Sequence, residues 1–369
     1  MDRHYQSVDE RLPGIAHMKF FSVLVMVASH GFFWMITSDD ATLTREGLAF
    51  TGFLASTRLP MLVVLSLPAI AGMVLRARLD KYMVDDRLLG FPLKVALGEA
   101  LFLGVVESLV NLLTWGWTHI WAWDVLKFVA VSFLLIVVLA RWGGVLWVAA
   151  AGISGLVLTP VIVTALRGMP PLLPSAVGTL EGILIGDNGV WFFWPLFPWF
   201  TTVAVGFLLA HVTLRVGSLT RWYAGLLATG VVCATIALWV VDYTWRVDPA
   251  RVWGDTVWQP TLQSFVGFFG FLAIYFVLCA WLGRITKLHR YGIVRCYSRG
   301  ILWIYALHII LGSHASDLLK GIFPTALFAN LLWAMAFLIL VMILMSWAIG
   351  FACVRFLDER RYILRVQMR

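Results

Sequence analysis

Long apolar stretches separated by short polar segments run through the whole chain. Ten of them approach or reach the length of about 20 residues that a helix needs to cross a bilayer. They lie at 18–37, 59–75, 91–114, 120–140, 143–166, 191–214, 222–241, 261–283, 300–316 and 326–352. The ninth is short, and we expect it to be tilted or interrupted. The pattern predicts an all-α, polytopic membrane bundle, with residues 1–369 forming a single integral membrane domain.

The composition agrees with this pattern. The 369 residues are 61% hydrophobic and 13% charged, whereas soluble globular domains are about half apolar and about a quarter charged. Little of the chain is left for a separate soluble domain. The apolar run after Met18 has no small-residue cleavage pattern before or within it, so we expect a retained first helix rather than a cleaved signal peptide.

The distribution of positive charge predicts the orientation. The net charge is +8, and most of the 28 Lys and Arg residues lie in one alternating set of loops. Because such loops face the cytoplasm, both termini are predicted to be cytoplasmic. Short basic clusters between apolar spans also exclude a nucleic-acid partner. The four cysteines have no paired spacing, so neither a metal site nor a disulfide framework is expected.

Two ionisable residues stand out in the first predicted span. Lys19 and His30 are separated by ten uncharged residues, a spacing of three helical turns plus about 20° and about 16 Å along the axis. Both side chains should therefore share one helix face, which ionisable groups in a membrane normally turn toward a cavity or the bundle interior. An amine that holds an anion and a histidine that handles a proton suit a long ligand such as acyl-CoA. The alternatives are a snorkelling lysine and a structural histidine.

These residues resemble the first-span motif of the membrane acyltransferase-3 family, which is Arg or Lys, ten residues and then His. Four later segments are similar to further motifs of that family, and more distantly the chain resembles relatives of heparan-α-glucosaminide N-acetyltransferase. The segments are TRLPMLVVLS at 57–66, HIWAWDVLKFVAVSFLL at 119–135, FWPLFPWFTTVAVGFLLA at 193–210 and SRGILWIYALHIIL at 298–311. The chain departs from the family at Leu67, where a glycine is usual, and at Lys19, where arginine is more common.

The resemblance implies acyl transfer from cytoplasmic acyl-CoA, with acetyl-CoA the expected donor, to an acceptor hydroxyl beyond the membrane. The acceptor would be a glycan or a lipid-linked glycan, and the location a bacterial inner (plasma) membrane. His30 would be the general base that removes the hydroxyl proton, because neutral imidazole suits this task near pH 7. A covalent acyl-histidine stays open, as does a homo-oligomer. Lys19 would contact or orient the CoA, and no metal is required.

Further basic residues near the predicted cytoplasmic face are candidates for CoA phosphate binding. They are Arg76, Arg78, His211 and Arg215. The alternative interpretation is that these residues only determine the topology.

Five residues are candidates for the acceptor side of the reaction. Arg58 would stabilise an oxyanion or anchor the membrane interface, and Glu107 would bind the acceptor or hold two helices together. Trp194 and Trp199 belong to a Pro-interrupted helix start, which is expected to line a cavity. His308, in the late motif, is either part of the site or a structural histidine of the bundle.

Two other functional classes remain compatible with the sequence. A transporter or flippase for a glycolipid or an acyl-bearing substrate would also contain intramembrane charges and broken helices. A sensor or scaffold of the cell envelope would require no chemistry at His30. The predicted outer loop 242–260 interleaves Asp and Trp residues, which indicates either a glycan-binding surface or an aromatic belt at the membrane interface.

Overall fold

The described part of the chain is almost entirely helical. The computed structural model describes residues 11–36, 59–167, 183–184, 194–240, 262–286, 292–322, 340–341, 343–352 and 355. Its helices are α1 (Ile15–Ile36), α2 (Leu59–Leu79), α3 (Leu93–Trp115), α4 (Val125–Trp142), α5 (Val145–Arg167), α6 (Leu196–Arg215), α7 (Leu219–Val240), α8 (Leu262–Thr286), α9 (Gly292–Ile322) and α10 (Ile343–Ala352).

Six of these helices are long and apolar enough to cross a membrane. The qualifying segments are Leu93–Trp115, Val125–Trp142, Leu196–Arg215, Leu219–Ala237, Phe265–Thr286 and Ile293–His314. Shorter apolar segments occur in α1, α5 and α10. A helical integral membrane protein is therefore confirmed, whereas ten spans with cytoplasmic termini stay a prediction.

Two predicted span boundaries are wrong. The fourth span was expected from residue 120, but a 3₁₀ turn, Trp117–His119, precedes α4, which begins at Val125. The Asp124 side chain accepts a hydrogen bond from the Val125 N–H at 2.7 Å and so caps the helix start. The ninth span was expected to be short, but α9 is 31 residues long and includes the polar segment at 292–299.

A small hairpin joins α2 to α3 and was not predicted by the apolar pattern. After a 3₁₀ turn at Asp80–Tyr82, strands β1 (Met83–Val84) and β2 (Arg87–Leu88) pair in antiparallel register. The two residues between them, Asp85 and Asp86, both have positive φ, as a tight hairpin turn requires.

The described helices pack into two compact units. The first comprises Met1–Leu12 and Leu65–Val277, and the second Pro13–Val64 and Leu278–Arg369. In the first unit α3 packs on α4 and α5 on α6, and in the second unit α1 packs on α9. The expectation of one domain over 1–369 stays a prediction.

Candidate functional site

Helix α1 turns both Lys19 and His30 toward protein. Lys19 is only 7% exposed, so its stem and amine lie inside the protein rather than extending into solvent. His30 is partly exposed. The helix is continuous from Ile15 to Ile36, so the rise of about 16 Å between the two residues holds. The interior interpretation of Lys19 is therefore favoured over snorkelling.

His30 contacts His308 of α9 directly. Their Nδ1 and Nε2 atoms are 2.8 Å apart, and the two rings are nearly parallel, with an angle of 8° between them. His308 is fully buried, and its Nδ1 lies 2.7 Å from the carbonyl oxygen of Ile304. The structure thus brings together two predicted site residues that are 278 positions apart in the sequence.

A second polar group on α1 was missed by the sequence reasoning. His17 is buried, and so is Ser22. A Cβ added to Gly283 of α8 would lie 3.4 Å from Nδ1 of His17 and 3.1 Å from the Gly14 nitrogen. The small residues Gly14 and Gly283 therefore allow the end of α8 to approach the start of α1. These two glycines are the feature of the sequence that could have indicated this contact.

In the first unit, Arg76 is the centre of a partly buried polar cluster. Its Nη1 donates to Asp80 at 2.8 Å and its Nε donates to Nδ1 of His211 at 3.1 Å. Arg11 also pairs with Asp80 and donates to the carbonyl oxygen of Ala77 at 2.9 Å. Arg76 is completely buried, and its charge is balanced by the partly exposed Asp80, a residue that the sequence did not single out.

The same cluster reaches the surface through Asp86 in the hairpin. Arg215 pairs with Asp86, and Nε2 of His211 lies 3.3 Å from the same carboxylate oxygen. The Arg215 side chain is 43% exposed. Arg78 instead pairs with Glu99 at the surface. Three of the five residues predicted to contact CoA, namely Arg76, His211 and Arg215, therefore lie together, and of these Arg215 is the most accessible.

Glu107 holds the start of α4 from the side of α3. One carboxylate oxygen accepts the Asp124 N–H at 2.7 Å and the other accepts the Lys127 N–H at 2.8 Å. The Asn111 amide and the Lys127 amine both donate to the carbonyl oxygen of Ala122, at 3.0 and 2.8 Å. This geometry favours the structural interpretation of Glu107 over acceptor binding.

Trp194 and Trp199 belong to an aromatic cluster at the start of α6. Both are buried and their rings meet edge to face, with centroids 5.2 Å apart. The Trp194 carbonyl oxygen accepts a hydrogen bond from the Trp123 indole at 2.6 Å. The backbone at Phe197 is non-helical and the following peptide bond is cis. The predicted broken helix start is thus confirmed, while its role at an acceptor entrance stays a prediction.

Three predicted features lie wholly or partly outside the described residues. They are Arg58, the Asp- and Trp-rich segment 242–260 and the first part of the tenth predicted span, 326–339.

Comparison with known proteins gives no relative for this chain. No family model, no curated protein and no solved structure matches it. The resemblance to the acyltransferase-3 family therefore stays a prediction that depends on the quoted motifs.

Proposed function

We propose that this chain is a membrane O-acyltransferase. It would move an acyl group, expected to be acetyl, from cytoplasmic acyl-CoA to a hydroxyl of an extracytoplasmic glycan or glycolipid. One observation carries the proposal. The buried amine of Lys19 and the partly exposed imidazole of His30 lie about three turns apart on α1, within one compact unit.

The chemistry assigned to α1 is a direct transfer. His30 takes the proton of the acceptor hydroxyl as its oxygen attacks the thioester carbonyl carbon. The new C–O bond forms, the C–S bond breaks, and the CoA thiolate leaves with the proton from the imidazolium. Lys19 holds an anionic part of the donor, since an ammonium group paired with phosphate forms strong charge-assisted hydrogen bonds.

The Arg76 cluster in the first unit has a separate role in the proposal, which is contact with the phosphates of CoA. Arg215 and Arg78 are accessible, so they are the residues of the basic set that we propose for contact with CoA phosphates. Arg76 and His211 would position Asp86 and Arg215 rather than bind the donor themselves. The proposal also includes ten spans, cytoplasmic termini and a bacterial inner membrane.

An acetyl-transfer assay tests the function. The purified protein in lipid nanodiscs is given labelled acetyl-CoA as donor and envelope glycans as acceptor, and the label transferred to the glycans is measured. We expect His30→Ala to lower transfer by about 100-fold or more, because general-base catalysis contributes about that much. Lys19→Met should raise the KM for acetyl-CoA, and Lys19→Arg should restore it. His314→Ala, which removes an exposed histidine of α9, serves as the control and should leave transfer unchanged.

Full transfer by the His30→Ala protein would remove this residue from the mechanism. Uptake of labelled substrate into proteoliposomes without any acyl transfer would point to the transporter interpretation instead.

A further inference from the structure

We infer that His308 is a positioning residue that fixes the tautomer of His30, so that Nε2 of His30 is the basic nitrogen. This inference rests on the proposed function for its catalytic meaning, but its structural part stands on the hydrogen-bond geometry alone. Three groups carry it: the Ile304 carbonyl, the His308 ring and the His30 ring.

The Ile304 carbonyl oxygen determines which nitrogens of His308 and His30 carry hydrogen. A backbone carbonyl oxygen can only accept, so Nδ1 of His308 carries the hydrogen that points to Ile304 at 2.7 Å. A neutral imidazole has one N–H, which leaves a lone pair on Nε2 of His308. The 2.8 Å contact with Nδ1 of His30 then requires the hydrogen on His30. Nε2 of His30 is left with the lone pair.

The neutral state of His308 follows from its surroundings. It is completely buried, and an ionised group in such a place is expensive unless an opposite charge compensates it. Its Nε2 contacts another imidazole, and a positive charge on His308 would repel the imidazolium that His30 becomes during transfer. A neutral ring is therefore the stable form of His308 while His30 is neutral.

The same arrangement also serves the protonated state of His30. When Nε2 of His30 takes the proton of the acceptor hydroxyl, its Nδ1–H still points at the His308 lone pair. That hydrogen bond becomes charge-assisted and therefore stronger. His308 thus stabilises the imidazolium that forms during transfer without exchanging a proton itself, and the proton passes to the leaving CoA thiolate as described above.

The difference in exposure assigns the two roles. His308 is 0% exposed, whereas His30 is partly exposed, so His30 is the more accessible of the two rings and the one assigned to the substrate. The ring of Tyr305, edge-on to His308 with centroids 6.0 Å apart, further limits rotation of the buried ring. His308 therefore acts through His30, and the earlier expectation of an acceptor-side or oxyanion role for it is replaced by this one.

The first test compares His308→Phe with His308→Gln in the nanodisc transfer assay. Phenylalanine keeps a ring but offers no acceptor, so kcat should fall by about 100-fold while the KM for acetyl-CoA changes by less than about twofold. Glutamine can donate its NH₂ to Ile304 and accept from His30 with its oxygen, so it should recover at least about tenfold of the lost kcat. Unchanged kcat in the Phe variant, or equal losses in both folded variants, would overturn the inference.

The second test needs no activity and measures the wild-type protein. ¹⁵N NMR of histidine-labelled wild-type protein in nanodiscs reports which ring nitrogen of His30 carries hydrogen, with His30→Ala used to assign the signals. We expect a protonated Nδ1 and an unprotonated Nε2, and the opposite pattern would refute the inference. If His30→Ala abolishes transfer but His308→Phe does not, the positioning role fails and the proposed function stands. If the wild-type protein transfers no acyl group, the proposed function fails while the NMR result still decides the tautomer.

Discussion

Some buried polar residues of this protein use their hydrogen-bonding groups to hold the fold. Glu107 is one of them, because each of its carboxylate oxygens accepts a backbone N–H of the α4 start. Lys127 and Asn111 then hold the turn before α4 through the Ala122 carbonyl. A carboxylate used in this way stabilises the loop between α3 and α4 and has little left to offer an acceptor.

Glu107→Gln should therefore lower stability and leave the chemistry intact. The amide keeps one acceptor oxygen but presents NH₂ to the second backbone N–H, so one buried donor loses its partner at a cost of about 1–3 kcal/mol. Thermal unfolding of the purified protein in detergent measures this loss. The matched control is Glu99→Gln, which removes a surface pair with Arg78 and should cost less than about 1 kcal/mol.

A different pair of results would restore the acceptor-binding interpretation of Glu107. These are an unchanged unfolding temperature for Glu107→Gln together with a raised KM for the acceptor.

At the residue scale, helical periodicity was enough to predict that Lys19 faces the protein interior. It was not enough to predict that His30 meets His308, because sequence spacing carries no information on contacts between distant helices. Arg76 was predicted as a candidate for CoA phosphate binding or as a topology determinant, and the structure adds that Asp80, one turn later, pairs with it. The acidic residue at i+4 was visible in the sequence and should have been weighed.

At the scale of helices, glycines allow α2 and α6 of the first unit to approach closely. A Cβ on Gly206 of α6 would overlap the backbone carbonyl of Ala69 in α2, and a Cβ on Gly72 would overlap the carbonyl of Val203. Since lipid supplies no hydrophobic force between membrane helices, close backbone packing of this kind carries much of their association. The Arg76–His211 hydrogen bond joins the same two helices.

Gly206→Ala should therefore separate α2 from α6 and destabilise the protein by about 1–3 kcal/mol, the usual cost of overpacking. The change in unfolding temperature in detergent measures it. The control is Gly104→Ala in α3, where an added Cβ meets nothing within 4 Å. There the better helix propensity of alanine should raise stability by up to about 1 kcal/mol. Equal effects at the two positions would mean that the α2–α6 approach is not set by the glycine.

Hydropathy located the helices well but not their ends. An apolar window reports which residues lipid can surround, whereas a helix continues for as long as its backbone hydrogen bonds are made. For this reason α9 extends back to Gly292 through Arg295 and Arg299. Helix α4, in contrast, is shorter than its apolar stretch. It starts five residues later than predicted because Asp124 caps it, and the apolar pattern alone does not indicate this start.

At the scale of the whole molecule, the proposed chemistry belongs to one compact unit. Lys19, His30 and His308 all lie in the second unit, which is built from the first helix and the late helices of the chain. The Arg76 cluster and the aromatic start of α6 lie in the first unit. The ends of the sequence thus combine to form the candidate site, an arrangement that motif spacing along the chain does not predict.

The orientation of the chain decides whether a cytoplasmic donor can reach this chemistry, and single cysteines can measure it. In a variant with Cys233, Cys279, Cys296 and Cys353 replaced by serine, Thr118→Cys marks the turn after α3 and Arg221→Cys marks the start of α7; both positions are exposed. Because basic loops stay in the cytoplasm, a membrane-impermeant maleimide should label position 118 in intact cells and position 221 only after permeabilisation. The reverse pattern would place the basic loops outside. The Lys19 end of α1 would then face away from the cytoplasmic acyl-CoA pool, and the proposed direction of transfer would be excluded.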